Sequence, residues 1–511
     1  MPDELQWMHP EFAPECLNSG CRAPPMPQCD SACCHCRARG DQSAWPCGLF
    51  PSSASFSPPS LSGRIPPWLQ GTLLRNGPGM HTVGDSRYNH WFDGLALLHS
   101  FTIRDGEVYY RSKYLKSDTY NANVEANRIV VSEFGTMAYP DPCKNIFSKA
   151  FSYLSHTIPD FTDNCLINIM RCGEDFYATT ETNYMRRINP QTLETLEKVD
   201  YRKYVAINLA TAHPHYDEAG NVLNMGTSIV DKGRTKYVIF KIPATVPEAN
   251  RKGKSPLKHT EVFCSIPSRS LLSPSYYHSF GVTQNYVVFL EQPFRLDILK
   301  MATAYMRGVS WASCMAFHRE DKNAEVGTNL IKVASTTATA LKERDDQVYC
   351  QPELLLEGLE LPQINYTHNG KPYRYVFAAG VQWSPIPTQI LKYDTLTKSS
   401  LRWGEESCWP AEPLFVPAPG AKDEDDGVIL SAIVSTDPQK LPFLLILDAK
   451  SFTELARASL AVEMHLDLHG LFIPDADGAA RNQATSETEQ APASGCQGPH
   501  RPDGAGGLGL P

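Results

Sequence analysis

Three histidines stand at positions where an imidazole could bind a metal ion. His213 lies in Ala-His-Pro-His-Tyr, His278 in Tyr-Tyr-His-Ser-Phe-Gly, and His469 in Asp-Leu-His-Gly-Leu-Phe. Each follows a predicted strand and lies at a turn, and long stretches of chain separate them. Imidazole is a common ligand of iron, zinc and copper, and it needs an acceptor for its other nitrogen. A metal site therefore requires a fold that brings these turns to one point, as the blade ends of a β-propeller do.

Two other groups of residues could bind a cation, and a simpler interpretation is favoured for each. Cys33-Cys34-His35-Cys36 contains only one Cys-x-x-Cys, whereas a structural zinc site usually needs two spaced ligand pairs. An incidental cluster in an unstructured segment is favoured here. The acidic run 423–427 suggests calcium, but a solvated turn before the next strand is the favoured interpretation.

The composition is that of a globular protein with enough apolar material for a large core. The chain has 511 residues, 42% of them hydrophobic, and its net charge of -9 argues against nucleic acid as the main partner. No apolar run approaches the ~20 residues of a membrane-spanning helix. No secretory signal is visible, so we expect a cytosolic protein with reduced cysteines.

The strand pattern predicts an all-β domain. Short alternating or β-branched runs are separated by turn residues, and they cover 107–114, 166–170, 176–180, 236–242, 286–291, 373–379 and 427–436. A hairpin with Asn or Asp at the end of its first strand recurs at 187–192, 392–397 and 446–451. This repetition favours a β-propeller over a large sandwich, which the pattern alone leaves open.

The ends of the chain differ from the centre. We predict a disordered Cys/Pro/Ser-rich segment over 1–60, a folded domain over 61–474 and a disordered tail over 475–511. Within the domain, Phe147, Phe151 and Leu154 recur at helical spacing beside lysines. The pattern fits a helix that caps the domain, and it also fits a foot that lies in a membrane interface near the point of substrate access.

An ordered series of motifs gives a more specific indication. The chain contains, in this order, Gly-Thr-Leu-Leu-Arg-Asn-Gly-Pro-Gly (71–79), Trp-Phe-Asp-Gly (91–94), Thr-Glu-Thr-Asn (180–183), His-Pro-His (213–215), His-Ser-Phe-Gly (278–281), Pro-Gln-Ile-Asn-Tyr (362–366), Glu-Pro-Leu-Phe (412–415) and His-Gly-Leu-Phe (469–472). Together they resemble the carotenoid cleavage oxygenase family from about residue 63 to 474. Residues 264–314 are most similar to the branch that cleaves β-carotene at its central double bond.

The resemblance implies a seven-bladed β-propeller with a non-haem Fe(2+) on its axis, held by four histidines. Three of these ligands map to His213, His278 and His469. Three glutamates of the family accept hydrogen bonds from the histidines, and they map to Glu181, Glu360 and Glu412. Thr180, beside one of them, either shapes an open position at the iron or is a plain strand threonine.

The expected reaction is oxidative cleavage of a carotenoid. O2 adds across the central 15,15' double bond of β-carotene, and the products are two molecules of retinal. Neutral imidazoles leave the iron cationic for this chemistry, while the protein orients a rigid apolar substrate in a dry tunnel. Off-centre cleavage at the 9',10' bond is an alternative within the same family.

The sequence departs from the family at the remaining iron ligand. The family's Phe-His-x-x-Asn-Ala-x-Glu type motif is absent; His318 follows a phenylalanine, but the residues after it do not fit. The sequence before and after Glu320–Asp321 resembles distant parts of the family, so about two blades of ~40–50 residues each are expected to be missing. Two interpretations follow: an iron carotenoid oxygenase with three histidines, or an inactive variant that at most binds carotenoid or lipid or does not fold stably.

Overall fold

The computed structural model describes residues 59–138, 161–231, 234–245, 255–307, 309–317, 325–331, 337–344, 347–351, 355–381 and 386–475. Several predictions fall outside this part of the chain. They concern the segment with the cysteine cluster, the C-terminal tail, the amphipathic segment of Phe147, Phe151 and Leu154, and His318 with the adjoining junction.

Antiparallel strands form most of the described structure. In chain order they are β1 (Ser60–Gly63), β2 (Gly71–Met80), β3 (Thr82–Val83), β4 (Ser86–Arg87), β5 (Leu95–Arg104), β6 (Glu107–Tyr114), β7 (Asn168–Cys172), β8 (Asp175–Thr179), β9 (Tyr184–Ile188), β10 (Thr195–Asp200), β11 (Leu209–Ala210), β12 (His215–Tyr216), β13 (Val222–Asp231), β14 (Arg234–Ile242), β15 (Glu261–Pro267), β16 (Gly281–Val282), β17 (Val287–Val288), β18 (Phe294–Leu296), β19 (Met315–Phe317), β20 (Thr339–Arg344), β21 (Gln347–Gln351), β22 (Leu359–Gln363), β23 (Tyr375–Gly380), β24 (Gln389–Asp394), β25 (Ser399–Trp403), β26 (Cys408–Pro410), β27 (Leu414–Pro417), β28 (Gly427–Ser435), β29 (Phe443–Asp448), β30 (Glu454–Ser459) and β31 (His469–Pro474).

Five sheets of four or more strands are found in the described residues, and we call them blades. Blade 1 has the order β31-β2-β5-β6, blade 2 is β10-β9-β8-β7, and blade 3 is β11-β13-β14-β15 with β12 beside β13. Blade 4 is β22-β23-β24-β25, and blade 5 is β1-β30-β29-β28-β26 with β27 beside β28. The all-β, propeller-like architecture predicted from the sequence is therefore confirmed.

The described residues form five blades, whereas seven were expected. Between blades 3 and 4 they contain only the two-stranded sheets β16-β17, β18-β19 and β20-β21. The junction predicted near 320/321 falls in this stretch. Blade 4 nevertheless contacts blade 3 directly, since the Tyr366 hydroxyl accepts a hydrogen bond from the Tyr216 N–H (2.9 Å) and Lys371 pairs with Glu218 (2.8 Å).

Neighbouring blades pack through their apolar faces. One buried cluster joins blade 1 to blade 5 and includes Leu73, Phe101, Leu430 and Ile446. Others join blade 1 to blade 2, blade 2 to blade 3, and blade 4 to blade 5. Strands buried on both faces explain the near-continuous apolar runs in β28 and β29.

The recurring hairpin has one local geometry. In the β24–β25 turn, the Asp394 side chain accepts hydrogen bonds from the N–H groups of residues 396 and 397, and Lys398 adopts a positive φ of 57°. Asn189 with Leu193 and Asp448 with Phe452 repeat this arrangement in blades 2 and 5. The side-chain acceptor stabilises a tight turn. In this turn the residue four positions after the Asn or Asp adopts the left-handed conformation.

Two α-helices lie among the described residues. α1 (Asp118–Glu125) begins after Ser117, whose hydroxyl accepts a hydrogen bond from the Tyr120 N–H (3.0 Å). α2 (Ile298–Arg307) buries Met301 and Ala304 in an apolar cluster with Phe161 and Leu296. Neither these nor any other described helix has the length and apolar character needed to cross a membrane.

Candidate functional site

The structure brings the three predicted histidines together. Their candidate ligand nitrogens lie within 4.8 Å of one another, and the His213 ring is 4.3 Å from the His278 ring and 4.6 Å from the His469 ring, centroid to centroid. His213 comes from the turn between β11 and β12, His278 from the segment before β16, and His469 from the start of β31. Turns far apart in sequence meet because strand ends of several blades point toward one axis.

Two of the histidines are oriented by carboxylates. Glu181, just after β8, accepts a hydrogen bond from His278 Nδ1 (2.5 Å), and its other oxygen accepts one from the Tyr276 hydroxyl (2.7 Å). Glu412, between β26 and β27, accepts a hydrogen bond from His469 Nδ1 (2.7 Å). A carboxylate that accepts from Nδ1 orients the ring, and Nε2 is then the nitrogen through which such a histidine binds a metal ion.

His213 is held differently. Its backbone N–H donates to Thr211 Oγ1 (3.0 Å), and the same hydroxyl donates to the His278 carbonyl (2.5 Å). His213 Nε2 is buried and has no hydrogen-bond partner among the described residues. Burial, together with the neighbouring imidazoles, keeps the pKa of His213 well below its ordinary value, so the ring is neutral and its lone pair is available. A buried, unpartnered nitrogen beside two oriented imidazoles fits a metal ligand set.

A buried network that the sequence analysis missed surrounds Glu412. Arg75 on β2 donates to Glu412 Oε2 (2.7 Å) and to Asp467 Oδ1 through two nitrogens (2.8 and 2.6 Å), and Gln363 donates to Glu412 Oε1 (2.7 Å). A signal for this network was present, because Arg75 and Asp467 both stand in apolar sequence and a charge in such a strand needs a partner.

The network sets the charge of these groups. Burial opposes ionisation of Glu412, but electrostatic attraction to His469 and Arg75, together with the hydrogen bonds that both donate, outweighs burial and lowers the pKa of Glu412 to about 2. Burial raises the pKa of Asp467 despite the attraction of Arg75. Glu412 is therefore the ionised acceptor that orients His469.

A large cavity surrounds the histidines. Its volume is about 1050 Å³, and residues from all five blades line it. The wall is mainly apolar and aromatic, and it includes Trp91, Phe134, Phe161, Met301 and Trp311. Such a cavity suits a large, apolar ligand that must reach the metal position.

The remaining predicted site residues divide into two groups. Thr180 and Glu360 line the same cavity, Thr180 directly after β8 and Glu360 on β22. Phe147, Phe151 and Leu154 lie outside the described residues, so the predicted foot stays a prediction.

The acidic run is stabilised by lysines. Lys392 Nζ contacts Asp425 (2.5 Å), and Lys450 Nζ contacts Asp423 (2.5 Å) and Asp426 (3.2 Å). These contacts provide the positive charge that the carboxylates need. The run forms a turn before β28 as predicted, but Asp425 is buried against Lys392 rather than solvated, because the ion pair replaces its contact with water.

Comparison with known proteins gives a consistent result. The chain is 72% identical to the human "Beta,beta-carotene 15,15'-dioxygenase" over 86% of this chain and 96% of that protein. It is 37% identical to the human mitochondrial "Carotenoid-cleaving dioxygenase" over 81% of this chain and 87% of that protein. A solved structure of the cobalt-substituted Synechocystis apocarotenoid oxygenase superposes with a TM-score of 0.63 at 21% identity, over 81% of this chain and 95% of that one, which supports the fold.

The same comparisons locate a discontinuity. The alignment with the human 15,15'-dioxygenase has 524 positions, whereas 86% of 511 residues is about 440, so about 85 positions have no counterpart in this chain. The model of the family described as "RPE65: Retinal pigment epithelial membrane protein" matches in two pieces, 49–328 and 328–474. These pieces cover most of the chain and carry all three histidines. The chain therefore belongs to the RPE65/carotenoid oxygenase family.

Proposed function

We propose that this protein is an iron-dependent dioxygenase that cleaves the central 15,15' double bond of β-carotene with O2. The observation that carries the proposal is the convergence of His213, His278 and His469 at a large apolar cavity in a chain 72% identical to a 15,15'-dioxygenase. Both oxygen atoms of O2 end in the two retinal molecules, so the reaction needs no further reductant.

The protein's contribution is to hold the metal and orient the substrate. Fe(2+), bound by the three imidazoles, supplies the activation of O2. Glu181 and Glu412 fix the rings of His278 and His469 through Nδ1, and the burial that lowers the pKa of His213 keeps its ring neutral. The rings of His278 and His469 are thereby oriented at the metal position, and the neutral ring of His213 offers its lone pair there.

The cavity wall positions the polyene. Phe161 and Trp311 pack edge to face with centroids 5.1 Å apart, and the wall is continuous with the buried cluster of α2. Aromatic side chains bind a rigid hydrocarbon with little loss of conformational entropy, and they exclude water from the double bond. We assign Thr180, which lines the cavity after β8, to shaping the space beside the metal.

A second candidate function is carotenoid binding without cleavage. Two observations favour it: about 85 alignment positions without a counterpart in this chain, and the exposure of apolar side chains on β15 and β17. On β15 and β17, Val262, Phe263 and Val288 are 58%, 68% and 57% exposed. We propose that the missing positions include the remaining iron ligand of the family, which would weaken iron binding.

Metal analysis and product analysis on one sample separate the two candidates. Monodisperse protein is assayed for iron per chain and for retinal formed from β-carotene in detergent micelles. Near-stoichiometric iron with retinal supports the oxygenase. Folded protein that binds β-carotene without iron or retinal supports the binding protein.

Variants test the ligand assignment. His213→Ala and His469→Ala should lose bound iron, whereas His368→Ala, a histidine outside the cavity, should retain it. Unchanged iron in the first two variants would show that the ligand assignment is wrong.

A further inference from the structure

Both oxygens of the Glu412 carboxylate are fixed by hydrogen bonds. Oε1 accepts from His469 Nδ1 (2.7 Å) and from Gln363 Nε2 (2.7 Å), while Oε2 accepts from Arg75 Nη1 (2.7 Å). The Glu412 side chain is only 1% exposed. A carboxylate with three donors in a buried site has one favourable orientation, so the His469 ring to which it is bonded has one as well.

Arg75 fixes the backbone before His469 in addition to the carboxylate. Its Nε and Nη2 donate to Asp467 Oδ1 (2.8 and 2.6 Å), and Nη2 also donates to the Leu468 carbonyl (2.8 Å). In the β2–β31 register, Arg75 stands opposite Gly470, and the next residue of β2 stands opposite His469. One guanidinium therefore holds the chain leading into the ligand and the carboxylate that orients its ring.

The corresponding arrangement at His278 is weaker. The donors to Glu181 are His278 and the Tyr276 phenol, with no cation among the described contacts. The Glu181 side chain is 27% exposed and that of His278 is 46% exposed, against 13% for His469. Water can compete for these exposed groups, so His278 is less strongly held than His469.

We propose that Arg75 is a positioning residue of the metal centre, which makes His469 a preformed ligand while His278 remains adjustable. This inference rests on the proposed function and deepens it. Arg75 does not touch the metal position; it acts through Glu412 and through the backbone at Asp467 and Leu468. Outer partners of metal ligands commonly change metal affinity by about 10- to 100-fold.

The test measures Co(2+) binding to the metal-free chain by calorimetry, together with the visible absorption of bound Co(2+), which reports ligand geometry. Arg75→Gln alone leaves two buried carboxylates without a cation and could prevent folding. The charge-matched double variant Arg75→Gln with Asp467→Asn removes one charge of each sign. We expect it to bind Co(2+) about 10- to 100-fold more weakly with an altered spectrum, while its circular dichroism remains that of the wild type.

Three further variants keep the inference testable if the double variant does not fold. Gln363→Leu removes one donor from Glu412 at a half-buried position, and we expect a several-fold loss of affinity and a shift of the Co(2+) spectrum. Tyr276→Phe removes the matching donor from Glu181, and we expect a smaller effect. Arg75→Lys keeps the charge without the forked donors, and it should restore only part of the affinity.

The outcomes separate this inference from the proposed function. Wild-type affinity and spectrum in the folded double variant, or in Gln363→Leu if the double variant does not fold, would overturn the positioning role while leaving the metal site in place. A larger effect of Tyr276→Phe than of Gln363→Leu would overturn the ranking of the two ligands. A wild-type chain that bound neither Co(2+) nor Fe(2+) would overturn the proposed function and the inference with it.

Discussion

Neutralising Glu412 should destabilise the metal-free protein by an amount that depends on pH. Burial disfavours the charged carboxylate, but His469 and Arg75 outweigh burial and lower its pKa from the ordinary 4.5 to about 2. One pKa unit corresponds to about 1.4 kcal/mol, so the ionised carboxylate contributes about 3 kcal/mol to the free energy of unfolding at neutral pH. Glu412→Gln removes this contribution.

The sign of the pH dependence follows from the direction of the shift. Because the pKa of Glu412 is lower in the folded state than in the unfolded state, the stabilisation is fully present above about pH 5. It decreases as the pH falls through 4.5 and is lost near pH 2. The stability difference between the wild type and Glu412→Gln should therefore shrink over this interval.

Urea unfolding followed by tryptophan fluorescence, from neutral pH to about pH 3, measures this difference. Glu218→Gln provides a matched control, since Glu218 pairs with Lys371 at 2.8 Å but is 83% exposed, and we expect its unfolding midpoint to remain near that of the wild type. Parallel pH profiles for the wild type and Glu412→Gln would refute the conclusion that His469 and Arg75 hold this carboxylate in its charged form.

Three further predictions follow from the packing and the sequence. Gly470→Ala would place a Cβ 1.9 Å from a carbonyl oxygen of β2, so we expect β31 to separate from β2 and the iron content to fall in metal analysis. Lys392→Met removes the cation from a buried ion pair and should cost about 3–5 kcal/mol, seen as a lower melting temperature, whereas the exposed Lys450→Met should melt near the wild type. Phe147→Asp with Phe151→Asp should abolish co-sedimentation with liposomes; unchanged co-sedimentation would exclude the predicted membrane foot.

The predicted strands agree well with those observed where the pattern is local. The run 107–114 is β6 without change, and 427–436 differs from β28 by one residue. The run 286–291 forms only the two-residue β17. Alternation and turn residues fix the conformation of a hairpin, but the length of a strand also depends on a neighbouring strand with which it can pair. The described residues between blades 3 and 4 form only two-stranded sheets, so few such neighbours are present there.

The residues around the metal centre were only partly predictable. Motif resemblance located three histidines and three glutamates, and the structure pairs Glu181 with His278 and Glu412 with His469. The motifs gave no reason to couple Arg75 to Glu412, because the two residues are 337 positions apart in the sequence. Their contact exists only once β31 pairs with β2 and blade 5 packs beside blade 1.

The amino-acid sequence by itself determined the all-β class and the repeated Asn/Asp turns, because each depends on residue types within a few positions. Its ordered motifs identified the three histidines through their resemblance to the family. Only the tertiary structure decided that the five blades of the described residues line a common cavity, that His469 is held by a buried ion network, and that His278 is left half exposed. These features depend on which strand ends meet at the axis. That is set by the packing of whole blades, which no local sequence pattern specifies.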